Sequence, residues 1–110
     1  TDQRFARAGF LAEHGALLAL ATNCNPGSSP THSMPLAIAT AVRFCGLLPA
    51  EAIVAATRNP AHLLGFPDRG SIEPGKRADL ILLHHKDERQ LAYELGGNPV
   101  DLVICGGVKV

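Results

Sequence analysis

Leu17-Leu18-Ala19-Leu20-Ala21-Thr22-Asn23-Cys24-Asn25-Pro26-Gly27-Ser28-Ser29-Pro30 is the stretch on which the reading of this chain turns. Residues 17–21 are uniformly apolar, the signature of a short buried strand of the α/β type. The run then breaks into small polar residues, a Pro-Gly pair and two serines. Parallel strands of α/β enzymes open into ligand-binding loops in this way, at their C-terminal ends. Residues 22–33 are therefore the candidate site loop.

Helices are predicted on both sides of that strand. Over residues 2–14, Phe5, Ala8, Leu11 and Ala12 share one helical face, and Gly15 supplies a stop. Beyond the loop, Ser33 is placed to cap a helix with Pro35 in its first turn, running to about Phe44 and closed by Gly46. A further helix over 50–57 is expected to bury Ile53, Val54 and Ala56. Asn59-Pro60 is expected to break it before a short turn over 61–64 that Gly65 ends.

The texture changes after residue 66. Asp68-Arg69-Gly70 and Glu73-Pro74-Gly75-Lys76 are turn signals, and an apolar strand is predicted over 78–84. A helical turn within 87–95 and a strand over 101–105 follow. Gly106-Gly107 then reads as a two-residue hairpin turn into a return strand at 108–110. Helix, strand and helices come first, and a small set of strands comes last. The first half is one and a half units of a (β/α) barrel, which closes only with eight strands. A portion of a larger protein is expected, and Thr1, opening inside a predicted helix, agrees with a longer or trimmed parent.

Composition narrows the classes. The chain has 110 residues and a formal net charge of zero, with no basic stripe, so no nucleic-acid partner is expected. No apolar run nears the ~20 residues of a membrane span, and no leader pattern is visible at the N-terminus, so no membrane partner is expected either. Cys24, Cys45 and Cys105 are odd in number and widely spaced, without a C-x-x-C pattern. That argues against disulfides and structural zinc and for a reducing, cytoplasmic setting. Cys45 and Cys105 sit among apolar neighbours and read as core residues. Cys24 has no fixed base that would make it a nucleophile.

Several residues now carry a resemblance. Residues 21–30 with Ser33-Met34-Pro35 resemble the last barrel strand and loop of the imidazolonepropionase family of amidohydrolases. Pro49-Ala50-Glu51-Ala52, Ala55-Ala56-Thr57 and Ala61-His62-Leu63-Leu64-Gly65 are similar to the helices that follow there. Gly70-Ser71-Ile72-Glu73-Pro74-Gly75-Lys76-Arg77-Ala78-Asp79-Leu80 resembles a signature of the whole superfamily. Leu91-Ala92-Tyr93 and Val103-Ile104-Cys105-Gly106-Gly107-Val108 fit the family's C-terminal end.

The resemblance implies an α/β fold, the C-terminal part of a metal-dependent (β/α)8-barrel amidohydrolase. Residues 1–66 would be barrel with the site loop 22–33, and 67–110 would be strands of an accompanying small β-domain. It implies hydrolysis of a ring C–N bond in 4-imidazolone-5-propanoate, giving N-formimidoyl-L-glutamate in histidine degradation. One divalent metal, zinc or iron, activates the water. The partners implied are a small-molecule substrate, the N-terminal barrel portion, and a second copy in a homodimeric parent. The chain alone is expected to be inactive.

Carried over by position, Asn23 matches a metal ligand, Asn25 and Gly27 match positions that hold the formimidoylglutamate end of the ligand, and Ser28 matches a substrate contact. An Asn amide, a hydroxyl and a glycine N–H suit a polar ring and an anionic chain. The family pattern has Asp where this chain has Asn23. A carboxamide offers a carbonyl oxygen but neither charge nor a proton-accepting carboxylate. The family's His-x-His pair is absent, and adjacent His84-His85 would point to opposite faces of a strand.

Plainer readings remain beside these. Asn23 and Asn25 also suit a turn, since Asn tolerates left-handed backbone and bonds its own neighbours. His14 would complement a helix end, His32 has no counterpart in the family, and His62 reads as surface. Glu51 suits the first turn of its helix. Under the resemblance Asp79 is structural, bonding to the turn at 73–77. A dihydroorotase- or deaminase-like amidohydrolase shares the 70–80 signature, and a non-catalytic remnant or interaction fragment is the other alternative.

Overall fold

The computed structural model describes residues 4–110. Helix α1 spans Ala8–Glu13, α2 Met34–Cys45, α3 Pro49–Ala56, α4 Arg58–Leu63 and α5 Gln90–Tyr93. The strands are β1 Leu80–Leu83, β2 Val100–Cys105 and β3 Val108–Lys109, an antiparallel sheet in the order β1-β2-β3.

Helix α2 is the organising element, and its ends follow from its sequence. Ser33 caps it, its hydroxyl accepting from the Leu36 N–H at 3.3 Å, with Pro35 in the first turn. Gly46 closes it at φ 77°, a left-handed cap that glycine adopts without a Cβ penalty. Both α1 and α3 pack on it, as does α5. The core is mostly alanine: Ala8, Ile38, Ala41, Leu47, Ala52, Leu91 and Ala92 form one cluster. Small residues allow close approach. Gly9 lies so near Gly46 that a Cβ there would overlap the Gly46 carbonyl oxygen.

Three expectations about helices change. The helix predicted over 2–14 begins at Ala8, without a side-chain cap; residues 1–3 lie outside the described region. Phe5, ahead of the helix, stacks on Phe44 with ring centroids 4.8 Å apart. In α3 the buried residues are Ala52 and Ala55, whereas Val54 is exposed and Ile53 and Ala56 are half-buried. The helix turns its smallest side chains inward. The break predicted at Asn59-Pro60 falls instead at Thr57 (φ −128°, ψ −79°), and both residues lie in the first turn of α4, where proline needs no N–H partner.

Residues 17–21 form no β-ladder among the described residues, contrary to the expected strand. They run extended, with Leu18 and Leu20 packed on the core and Leu17, Ala19 and Ala21 exposed. That alternation is strand-like. Among the described residues, no adjacent strand pairs with it.

The C-terminal sheet is close to expectation. Leu80 pairs with Ile104, Ile81 with Val103 and Leu82 with Leu102, with an irregularity between Leu82 and Leu83. Gly106 and Gly107, at φ 59° and 85°, make the tight turn between β2 and β3. Cys105 is exposed rather than a core residue, because β2 alternates and its last side chain points outward beside Arg77. Asp79 binds Arg77 Nε at 2.8 Å, and the same oxygen accepts the Gly106 N–H at 2.7 Å. It thus joins the 73–77 turn to the hairpin. The Arg77 guanidinium, then the Gly106 N–H, hold its carboxyl below the usual range.

Candidate functional site

The extended stretch 17–21 delivers the chain to residues 22–33. Two hydrogen bonds hold it to the junction of α3 and α4. The Leu20 N–H donates to the Ala55 carbonyl at 2.7 Å, and Asn59 Nδ2 donates to the Leu18 carbonyl at 2.7 Å.

The loop itself is tied by Asn25. Its Oδ1 accepts from the Gly27 N–H at 3.0 Å, the Ser28 N–H at 2.8 Å and the Ser28 hydroxyl at 3.2 Å. Its Nδ2 donates to the Asn23 carbonyl at 3.1 Å. The backbones of Asn25 and Ser29 exchange both N–H···O bonds, at 2.9 and 3.2 Å. Ser29 Oγ donates to the Thr22 carbonyl at 2.5 Å, closing the loop onto its entry strand. Thr31 then accepts the Ser33 N–H, which leads directly into the α2 cap. Asn23 is exposed at φ 60°, the non-glycine residue with left-handed backbone among those described.

A cleft of about 550 Å³ lies between the entry strand, the loop and α2. Leu20, Thr22, Ser28, Thr31, Leu36 and Thr40 are among its walls. This volume suits a small organic ligand. Of the four candidate residues, Ser28 lines the cleft, whereas Asn23, Asn25 and Gly27 lie outside its walls. The Ser28 hydroxyl has lone pairs left for a ligand and is free to rotate. Cys45, at the foot of the cleft, has its thiol pushed up by burial, which makes it a poor nucleophile.

Metal chemistry finds one weak donor here. Among the described residues, no three His, Cys, Asp or Glu side chains converge where an ion could sit. Asn23 offers a single neutral oxygen, and a divalent ion needs several donors, charged ones above all. The residues present do not make a metal centre by themselves. His32 is exposed at the edge of the loop and His62 is exposed on α4. His14 Nδ1 lies 2.8 Å from the Phe10 carbonyl at the end of α1, and Glu51 Oε2 accepts the Leu48 N–H at 2.8 Å at the start of α3.

Asn59 is the site residue that sequence reasoning missed, taking it for a helix breaker. Thr22 and Ser29 likewise had no definite role. For Asn59 the available signal was a polar side chain in a first helical turn otherwise packed by Ala61 and Leu64. Nothing local pointed to its partner 41 residues away.

The comparisons agree with this geometry. The chain is 52% identical over 100 residues to an imidazolonepropionase from Deinococcus deserti, covering 91% of this chain and 25% of that protein. An imidazolonepropionase from Herpetosiphon aurantiacus is 50% identical over 105 residues, and one from Geobacillus kaustophilus 48% identical over 106. They cover 94% and 96% of this chain and 25% of each relative. The chain thus spans about a quarter of the length of the curated relatives it matches. A crystal structure of an amidohydrolase from Thermotoga maritima MSB8 superposes with a TM-score of 0.67 at 32% identity, over 94% of this chain and 25% of that one. The family described as Amidohydrolase family matches residues 1–110, and the chain belongs to it.

Proposed function

We propose that this chain is the C-terminal segment of a hydrolase that opens the ring of 4-imidazolone-5-propanoate to N-formimidoyl-L-glutamate. The observation that carries the reading is the identity of 52% over 100 residues with a protein named imidazolonepropionase. In this reading residues 1–66 supply the last strand and helices of a (β/α)8 barrel, and 67–110 supply strands of a small β-domain. The strand-like alternation at 17–21 and its lack of a neighbour suit a barrel strand whose partners lie elsewhere in the protein.

The loop residues divide the work. Ser28, on the cleft wall, contacts the substrate through its hydroxyl. Asn25 and Gly27 hold the product-like end of the ligand, with Asn25 shaping the loop that presents both N–H groups. Asn23 lies at the strand end, where it lends one neutral oxygen to a divalent ion, zinc or iron, whose remaining ligands come from outside this chain. That ion, when bound, activates the hydrolytic water. An amide has no basic oxygen to take up that water's proton, so the proton acceptor also lies outside residue 23. We further propose a cytoplasmic, homodimeric parent with a small-molecule substrate as its ligand. No described helix is long and apolar enough to cross a membrane.

The test is a substrate panel on the full-length protein that carries this segment. Loss of 4-imidazolone-5-propanoate with appearance of N-formimidoyl-L-glutamate is expected, and dihydroorotate and aminopurines are left unchanged. Turnover of dihydroorotate or release of ammonia from an aminopurine, without ring opening of the imidazolone, would reject the reading in favour of another amidohydrolase.

A further inference from the structure

We infer that Asn59 is a positioning residue for the site loop, an inference that rests on the function proposed above. Three hydrogen bonds define one continuous brace. Asn59 Nδ2 holds the Leu18 carbonyl at 2.7 Å, the Ala55 carbonyl holds the Leu20 N–H at 2.7 Å, and the Thr22 carbonyl takes the Ser29 hydroxyl. In an extended chain residues 18, 20 and 22 direct their backbone groups to the same edge. The first two are gripped by the α3–α4 junction and the third by the loop itself. Asn23 follows immediately, and the 25–29 bridge follows that.

The junction is built for this grip. α3 stops at Ala56, so the Ala55 carbonyl lies in the last turn, where helical partners run out. Thr57 departs from helical geometry, and α4 restarts at once with Asn59 in its first turn. The break thereby exposes one acceptor and one donor, matched to one N–H and one carbonyl two residues apart on the entry strand. Asn59 is half-buried, and beside it Ala55, Leu18 and Val54 line a small cavity of about 180 Å³. That gap leaves the strand room to shift once the amide is gone, because packing alone does not fix it there. A shift at residue 18 travels along a stiff extended segment to Ser28, and catalysis is sensitive to displacements of about an ångström.

The experiment compares Asn59→Ala and Asn59→Asp with wild type in the full-length protein. Asp keeps the shape but sets an acceptor against the Leu18 carbonyl. Kinetics with 4-imidazolone-5-propanoate and amide hydrogen exchange at Leu20, Asn25 and Ser29 are the readouts, with Leu82→Ala in the sheet as a stability control. A higher KM is expected in both variants, by about two- to tenfold for removal of one hydrogen bond and more in Asp. Faster exchange at the three amides is expected as well, and Leu82→Ala changes neither. A lower melting temperature with wild-type KM and wild-type exchange would reduce Asn59 to a structural residue and overturn the inference. Wild-type protein inert toward the substrate would reject the proposed function while the exchange data still decide the brace. Should neither variant fold, unprotected exchange of the Leu20 amide in wild type overturns it equally.

Discussion

Asn25 shows how one amide can organise a site without facing the ligand cleft. Its Oδ1 gathers three donors, two of them on Ser28. Removing it leaves the Gly27 and Ser28 N–H groups without their shared acceptor, and the 25–29 bridge loses its inner support. In the full-length protein, Asn25→Ala and Ser28→Ala should each weaken kcat/KM by about 1–3 kcal/mol, the cost of leaving a buried polar group without its hydrogen bond. Unchanged kcat/KM in both would show that the loop only turns the chain. Asn23 is the counterpart problem. Asp and Asn both tolerate its left-handed backbone, so Asn23→Asp keeps the loop and adds a charge. Divalent-ion affinity should then rise, since a carboxylate is the stronger ligand. Restored proton acceptance should raise kcat by about 10²-fold where the lack of a base limits the wild type. A metal titration that shows equal affinity in the two forms removes Asn23 from the ligand set.

At the scale of elements, the sequence was legible wherever a local rule ends a segment. Ser33 and Gly46 bound α2, and Gly106-Gly107 turn β2 into β3, because caps and tight turns are set by the residues at hand. It failed where the partner is remote. The strand at 17–21 has the right pattern and no ladder, Asn59 reaches across 41 residues, and α3 buries alanines in place of larger neighbours. Ser33→Ala should cost about 1 kcal/mol, seen as a lower midpoint in urea unfolding. Gly9→Ala should cost about 1–3 kcal/mol by forcing α1 away from the α2 cap, and an unchanged midpoint would contradict that close approach. The turn before α5 gives a pH signature. Asp87 binds the Arg89 side chain and N–H, with the guanidinium the larger cause, and its carboxyl sits at about 2. A depressed folded-state value means the contribution is present at neutral pH and fades as pH falls through about 2. An NMR titration of the Asp87 carboxyl should therefore show no inflection near its ordinary value of 3.8.

The whole molecule exposes more than its size warrants. Its accessible surface is 7848 Å², whereas a folded monomer of 11.6 kDa has about 5,800 Å². The radius of gyration, 14.4 Å, exceeds the roughly 13 Å of a compact chain this long. The difference in surface, about 2,000 Å², is the size of a stable protein interface. Much of it is apolar: Leu17, Leu63, Leu64 and Ile72 are 59, 68, 67 and 87% exposed. Against this the core cluster has only Ile38, Leu47 and Leu91 as large buried side chains, each stabilising by about 1.5–3 kcal/mol. Ordering the backbone costs about 1–2 kcal/mol per residue, so a core this small holds 110 residues weakly. The isolated chain should therefore self-associate or unfold over a broad range. It should show no hydrolysis of 4-imidazolone-5-propanoate with added zinc or iron, since its described residues offer too few ligands. Light scattering, urea unfolding and a metal-supplemented assay on the 110-residue chain test this together. A monodisperse monomer with a sharp transition would show that the exposed apolar surface needs no cover, and metal-dependent turnover would place a complete centre within these residues.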